Sequence, residues 1–330
     1  MEKTLNALKF ALRAVNRMRL KNAFRVLFAN VNVLYKSVLF RAVITGVVAL
    51  IAYFGIRPGL APILSSPETE KLLETVSKLF SDFFSGKGID SAAATLPSDF
   101  SGFTKMLAAN AGSVKWTAIG AGVVWYIWNM LLLASDYAFG KAFDNHMSAY
   151  VHFPIIPTFF ECAGKAFAYG SVMALINFAW GAVVLAAGVF VAVYLIPYIS
   201  VLSILLGILI IVLGFSYRST LFSSVMPAMI SGGLGLGKAL ATCVPNRKQT
   251  GELLGNYAFL IMACFYLNVS IAVFTFLSGL FVTLPFTALC FNCVAFVDYY
   301  VRKNKKFYVA YDTIVVPDGD RADSEYLKYM

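Results

Sequence analysis

Six uninterrupted apolar runs, each of membrane-spanning length and nearly free of charge, constrain this chain more than any other feature. A hydrocarbon layer about 30 Å thick takes roughly 20 helical residues to cross. The runs extend from Val38 to Ile56, Trp116 to Ser135, Ala166 to Tyr194, Ser200 to Tyr217, Tyr257 to Leu277 and Gly279 to Val297. Hydrophobic residues make up 59% of the chain and charged residues 13%, so the solvent for most of it is lipid. Strands that cross a membrane alternate polar and apolar residues in short pieces, and these runs do not alternate. Backbone N–H and C=O groups in hydrocarbon must bond within their own segment, which makes the runs helices. The expected fold is an all-α polytopic membrane helix bundle of six spans, flanked by amphipathic interfacial helices.

Charge is distributed unevenly around the runs. Lys3, Lys9, Arg13, Arg17, Arg19, Lys21, Arg25 and Lys36 precede the first run, against Glu2 alone. The stretch from Arg57 to Lys115 balances six basic residues with six acidic ones. Arg218, Lys238, Arg247 and Lys248 lie between the fourth and fifth runs, and Arg302, Lys303, Lys305 and Lys306 follow the sixth. Lysine and arginine accumulate on the cytoplasmic side of membrane proteins, so both termini are expected there. The basic segment before the first run is too long for the n-region of an ordinary signal peptide. The five cysteines avoid the 57–115 stretch: Cys162 and Cys243 fall in linkers and Cys264, Cys290 and Cys293 in apolar runs, which argues against a disulfide framework.

These features describe a single integral membrane domain over residues 1–330, with a basic amphipathic cytoplasmic segment (1–36), an extracytoplasmic helical loop (57–115) and a cytoplasmic tail (301–330). In the first segment Lys9, Arg13, Arg17, Lys21 and Arg25 recur every four residues, beside Leu5, Leu8, Leu12, Val15, Phe24 and Leu27. On a helix this is a cationic stripe next to an apolar one, suited to lying on anionic lipid; it also serves simply to orient the first span. No aromatic-interleaved or base-reading module accompanies the charge, so nucleic acid is not an expected partner. In the loop, Pro67-Glu68-Thr69-Glu70 has the character of a helix start, with a helix ending at Gly86 and Gly88 and a second, short one from Phe100 to Ala109. The tail from Val309 onward reads as a solvated acidic end carrying Asp312, Asp318, Asp320, Asp323 and Glu325.

An internal repeat is visible. Pro154 is followed ten residues on by Gly164-Lys165-Ala166, and Pro227 ten residues on by Gly237-Lys238-Ala239, an offset of 73 throughout. Each copy precedes a tight pair of apolar runs. The unit reads as an amphipathic helix, a Gly-Lys-Ala turn and a helical hairpin, with Lys165 and Lys238 at lipid-headgroup level.

Several motifs have a plainer explanation than the chemistry they suggest. Gly232-Gly233-Leu234-Gly235-Leu236-Gly237-Lys238 approaches a phosphate-binding loop, but Ala239 occupies the position of the magnesium-binding hydroxyl and no strand precedes it. A kink between helices is the expected role. His146 and His152 are six residues apart, about 120° around a helix, and do not share a face for a metal; ordinary histidines of a solvated linker are expected. Cys290 and Cys293 have C-x-x-C spacing within an apolar run, with no cation to activate a thiol. Arg41, near the cytoplasmic end of the first run, is expected to snorkel to the headgroups. Asn129, Asn177, Asn268 and Asn292 form a candidate polar seam near mid-membrane, serving either a substrate or interhelical hydrogen bonds. Pro285 is expected to break or kink the sixth run. Gly170 with Ala174, Ala182 with Ala186, and Gly120 with Ala121 would let helices approach closely.

Pro227, the Gly235–Lys238 turn, Ala239-Leu240, Gly255-Asn256 and Tyr299-Tyr300 resemble a group of uncharacterised bacterial six-span membrane proteins, including the membrane domain attached to some glycerophosphodiester phosphodiesterases. The likeness covers the C-terminal half. It implies a bacterial cytoplasmic (inner) membrane location and a six-span bundle with amphipathic helices, and no catalytic residues. The chain shows no counterpart of the soluble phosphodiesterase barrel. No catalytic, cofactor or metal site is therefore expected. The function expected is that of a non-enzymatic accessory or scaffold protein engaging lipid or a membrane protein partner; a small-molecule transporter using the asparagine seam is the alternative.

Overall fold

The structure, a computed structural model, describes residues 19–85, 90–150, 154–199, 201–245, 247–310 and 313–316. Within these, helix α1 covers residues 19–29. It is followed by α2 (Val31–Gly55), α3 (Arg57–Leu64), α4 (Pro67–Phe84), α5 (Asp90–Ala109), α6 (Ala111–Ala149), α7 (Ile155–Ile199) and α8 (Val201–Phe222). Then come α9 (Val225–Ile230), α10 (Leu236–Thr242), α11 (Arg247–Phe274), α12 (Leu280–Arg302) and the strands β1 (Phe307–Ala310) and β2 (Thr313–Val315). Among the described residues, six helical segments are long and apolar enough to cross a membrane, which supports a multi-pass membrane protein.

Two of these helices outrun their apolar runs. At 1.5 Å per residue, the 39 residues of α6 and the 45 of α7 span about 58 and 68 Å, roughly twice the hydrocarbon thickness. Helix α6 continues past Ser135 through Asp136, Lys141 and Asp144, and α7 begins at Ile155, before the expected Ala166. An apolar window marks where lipid can sit; the helix itself ends only where the backbone is broken.

The turn expected at Gly164-Lys165-Ala166 is accordingly absent, since those residues lie inside α7. One glycine in a helix costs about 1 kcal/mol relative to alanine, too little to interrupt a segment anchored by buried Ala166 and Tyr169. In the other copy Gly237-Lys238-Ala239 is also helical, in α10; the break falls earlier, at Gly233–Gly235, where Gly233 has φ +66°. Helix α5 starts at Asp90 rather than Phe100 and runs through Pro97, because Ala92, Ala93 and Leu96 are buried on it. Pro285 does not break α12, which is continuous from Leu280 to Arg302. Nor is the start of the tail simply solvated: β1 and β2 form an antiparallel hairpin pairing Phe307 with Val315, and Phe307 and Val309 are buried. Its acidic residues lie outside the described residues.

Contacts divide the chain into two compact units. The second takes in Thr45–Asn129 and Leu175–Phe215. In it α4 begins at Pro67, with Glu68 and Glu70 in the first turn and the Thr69 amide donating to Ser66 Oγ at 3.3 Å. Its Leu72, Val76 and Leu79 pack with Ala92, Ala93, Leu96 and Phe100 of α5 onto Val193 and Ile196 of α7 and Ile204 of α8. Helices α7 and α8 meet at glycines: a Cβ at Gly188 would lie 3.0 Å from the Gly207 carbonyl oxygen, and one at Gly207 2.7 Å from that of Gly188. Trp180 Nε1 donates to the Gly214 carbonyl at 2.9 Å, satisfying the indole away from water.

The first unit takes in the described residues up to Ile44, Met130–Ala174, and those from Ser216 on. Its core joins Phe139, Phe143 and Met147 of α6, Met226 and Met229 of α9 and Phe296 of α12, with Phe307 of β1. Gly170 of α7 lies against α6, where a Cβ would come within 2.6 Å of the Met130 carbonyl oxygen. Gly120, expected to serve the same purpose, has nothing within 4 Å of its Cβ position. Leucine at Gly170 or Gly188 should therefore destabilise the protein by about 1–3 kcal/mol or more, because backbone cannot give way as a side chain can. Leucine at Gly120 should be silent, as thermal unfolding of the three variants in detergent would show.

Candidate functional site: a charged network and a polar cavity

The first unit holds three carboxylates on or near the ends of apolar helices, all buried. Asp298 of α12 lies 2.9 Å from Arg19 Nη1 of α1 and 2.7 Å from Arg302 Nη2, one turn along its own helix. Asp136 of α6 is paired with Arg41 of α2. Asp144, two turns further along α6, accepts a hydrogen bond from Tyr300 Oη at 2.8 Å and lies 3.4 Å from Lys141 Nζ. Beside this group Lys305 donates to the Ser231 carbonyl at 3.0 Å and its hydroxyl at 2.9 Å, with the ammonium 5.6 Å from the centre of the Tyr300 ring. Arg41 thus pairs with a carboxylate instead of snorkelling. A charge excluded from water must be paired or hydrogen-bonded, and the helix extensions beyond the apolar runs supply the partners.

Arg218 of α8 is the exception. It forms no ion pair among the described residues, and its Nε is buried without a hydrogen-bond partner. It lines a cavity of ≈ 150 Å³ together with Asp136, Tyr169, Ser223, Tyr257 and Asn292. Asn292 Nδ2 likewise has no hydrogen-bond partner. The Ser223 and Tyr257 hydroxyls adjoin each other and have no other partner.

Of the seam asparagines, Asn129 and Asn177 belong to the second unit and Asn268 and Asn292 to the first. Asn129 donates to the Trp125 carbonyl at 3.0 Å on its own helix. Asn268 donates to the Cys264 carbonyl at 2.8 Å and across to Thr287 Oγ1 of α12 at 3.0 Å, an interhelical bond. Asn177 Oδ1 is buried without a partner. Among the expected headgroup cations, Lys21 and Arg25 are exposed on α1, Lys165 on α7 and Lys238 on α10; Lys9, Arg13 and Arg17 lie outside the described residues. His146 is not in a solvated linker: it is fully buried on α6 with its ring 4.8 Å from that of Tyr150. His152 lies outside the described residues. Among the described residues no cluster of three metal-ligating side chains occurs. Cys243, between α10 and α11, is buried, which pushes its thiol above the ordinary range and keeps it protonated at neutral pH. Cys162, Cys264, Cys290 and Cys293 are also free thiols.

Asp136 and Arg218, which the sequence alone did not single out, are each the first charge beyond a run that ended at Ser135 or Tyr217. An opposite-charge pair of span ends was the available signal. Comparison with protein-family models, with curated proteins and with solved structures finds no match.

Removing one member of a buried ion pair strands the other, a loss of about 3–5 kcal/mol. Arg41→Ala should therefore destabilise the protein strongly, and Arg41→Ala combined with Asp136→Ala should recover part of that loss. Unfolding of the single and double variants in detergent measures the coupling.

Proposed function

We propose that the chain is a non-enzymatic protein of a bacterial cytoplasmic (inner) membrane, with N- and C-termini in the cytoplasm. It serves as an accessory or scaffold, engaging anionic lipid or a membrane protein partner at its cytoplasmic face. The observation that supports this is the charge left over in the first unit. Asp136, Asp144 and Asp298 are each held by internal donors. Lys21, Arg25, Lys36, Lys165, Lys238 and Lys303 are exposed and form no ion pair among the described residues. Glu161 and Glu252 are the unit's remaining described carboxylates, too few to balance them. Basic side chains beside an apolar span are drawn to anionic headgroups over about a Debye length.

The transport alternative has less behind it, since Asn129 and Asn268 spend amide hydrogens on carbonyls of their own helices. Purification from mixed phosphatidylcholine and phosphatidylglycerol bilayers tests the proposal. The wild-type protein should retain phosphatidylglycerol in excess of its bulk fraction. A variant with Lys21, Arg25, Lys165 and Lys238 all changed to glutamine should lose most of that excess while its unfolding temperature holds. Equal retention by both proteins would contradict it.

A further inference from the structure

We propose that the cavity beside Arg218 is a binding site for a single oxyanion, a phosphate or carboxylate group, supplied either as a free ion or as part of a lipid headgroup. Three observations support the site. The first is charge: Asp136 is already neutralised by Arg41, so the Arg218 guanidinium remains as one uncompensated positive charge at the cavity. Arg218 is half-buried and has no carboxylate of its own among the described residues, and an anion in the cavity supplies the missing counter-charge.

The second is the kind of atom left over. Arg218 Nε and Asn292 Nδ2 are buried without partners, the buried Ser223 and Tyr257 hydroxyls have none beyond each other, and all four groups can donate a hydrogen bond. Tyr257 is 1% exposed and Asn292 9% exposed, so bulk water does not satisfy them. Such clusters of buried unsatisfied groups are rare in folded proteins and call for an occupant. Water supplies both donors and acceptors but no charge; an oxyanion supplies several acceptors and the missing negative charge together, and hydrogen bonds to charged groups are the stronger ones.

The third is size. The ≈ 150 Å³ volume is that of about five water molecules at roughly 30 Å³ each. That is room enough for one tetrahedral or planar oxyanion. A lipid source would bring only its phosphate into this space.

The site goes beyond the surface cations of the proposed function, and its test keeps the two apart. Full-length protein in neutral detergent is titrated with inorganic phosphate, and separately with short-chain phosphatidylglycerol, while thermal unfolding is followed. Saturable stabilisation by at least one of these is expected, with Arg218→Gln weakening the apparent affinity at least tenfold and Tyr257→Phe several-fold. The glutamine variant at Lys21, Arg25, Lys165 and Lys238 should bind as the wild type does, which separates this site from headgroup contacts at the surface. Stabilisation by phosphate identifies a free-anion site, and stabilisation by the lipid alone a headgroup site. If Arg218→Gln does not fold, Tyr257→Phe, which keeps the ring and removes only the hydroxyl, gives the readout. Failure of both probes to stabilise the wild type, or unchanged affinity in the folded Arg218→Gln or Tyr257→Phe protein, overturns the proposal.

Discussion

A carboxylate at the end of an apolar helix persists as an ion only when a donor is held against it, and the first unit is organised around three such carboxylates. Asp298 binds Arg19 across 279 positions of sequence, Asp136 binds Arg41 across 95, and Asp144 binds Tyr300 across 156. These bonds join α1 to α12, α2 to α6, and α6 to α12. Each involves groups largely removed from solvent, so each is nearly all-or-none: with both partners present it is tolerated, with one missing it is costly. The earliest and latest described segments of the unit are thereby made interdependent.

The second unit is held by different means. Lipid tails are as apolar as leucine side chains, so helix association in hydrocarbon depends on close approach and on satisfying the few polar groups. Gly188 facing Gly207, and the Trp180 indole bonded to the Gly214 carbonyl, provide both between α7 and α8. The α4–α5 hairpin adds a small water-type core at the far end of the same two helices, with Thr75 Oγ1 donating to Asp99 at 2.8 Å. Within the first unit, Arg218 stands apart as a half-buried arginine with no ion pair among the described residues.

The six spans were legible because hydrocarbon selects for uninterrupted apolar runs, and that signal is local. The start of α4 at Pro67 was legible for the same reason: proline and acids act within one turn. What escaped was non-local. Asp136 and Arg218 look like ordinary flanking charges until α2 and the cavity walls are brought to them. Ala92, Ala93 and Leu96 carry a helix through Pro97 only because α4 and α7 bury them. The Phe307–Val309 alternation was a strand signal, masked by the acidic residues that follow it. A turn was read at Gly164 and Gly237 alike, yet both are helical, and the break falls at Gly233, which occupies a left-handed conformation.

Hydrogen–deuterium exchange on Asp298→Asn, compared with the wild type in the same detergent, tests most directly whether paired charges hold the first unit together. Losing the carboxylate should release Arg19, so amides of residues 19–29 should exchange much faster while those of α7 and α8 keep their protection. Unchanged protection across 19–29 in a folded Asp298→Asn protein would show that apolar contacts alone hold α1, and that the charged network is incidental to the architecture.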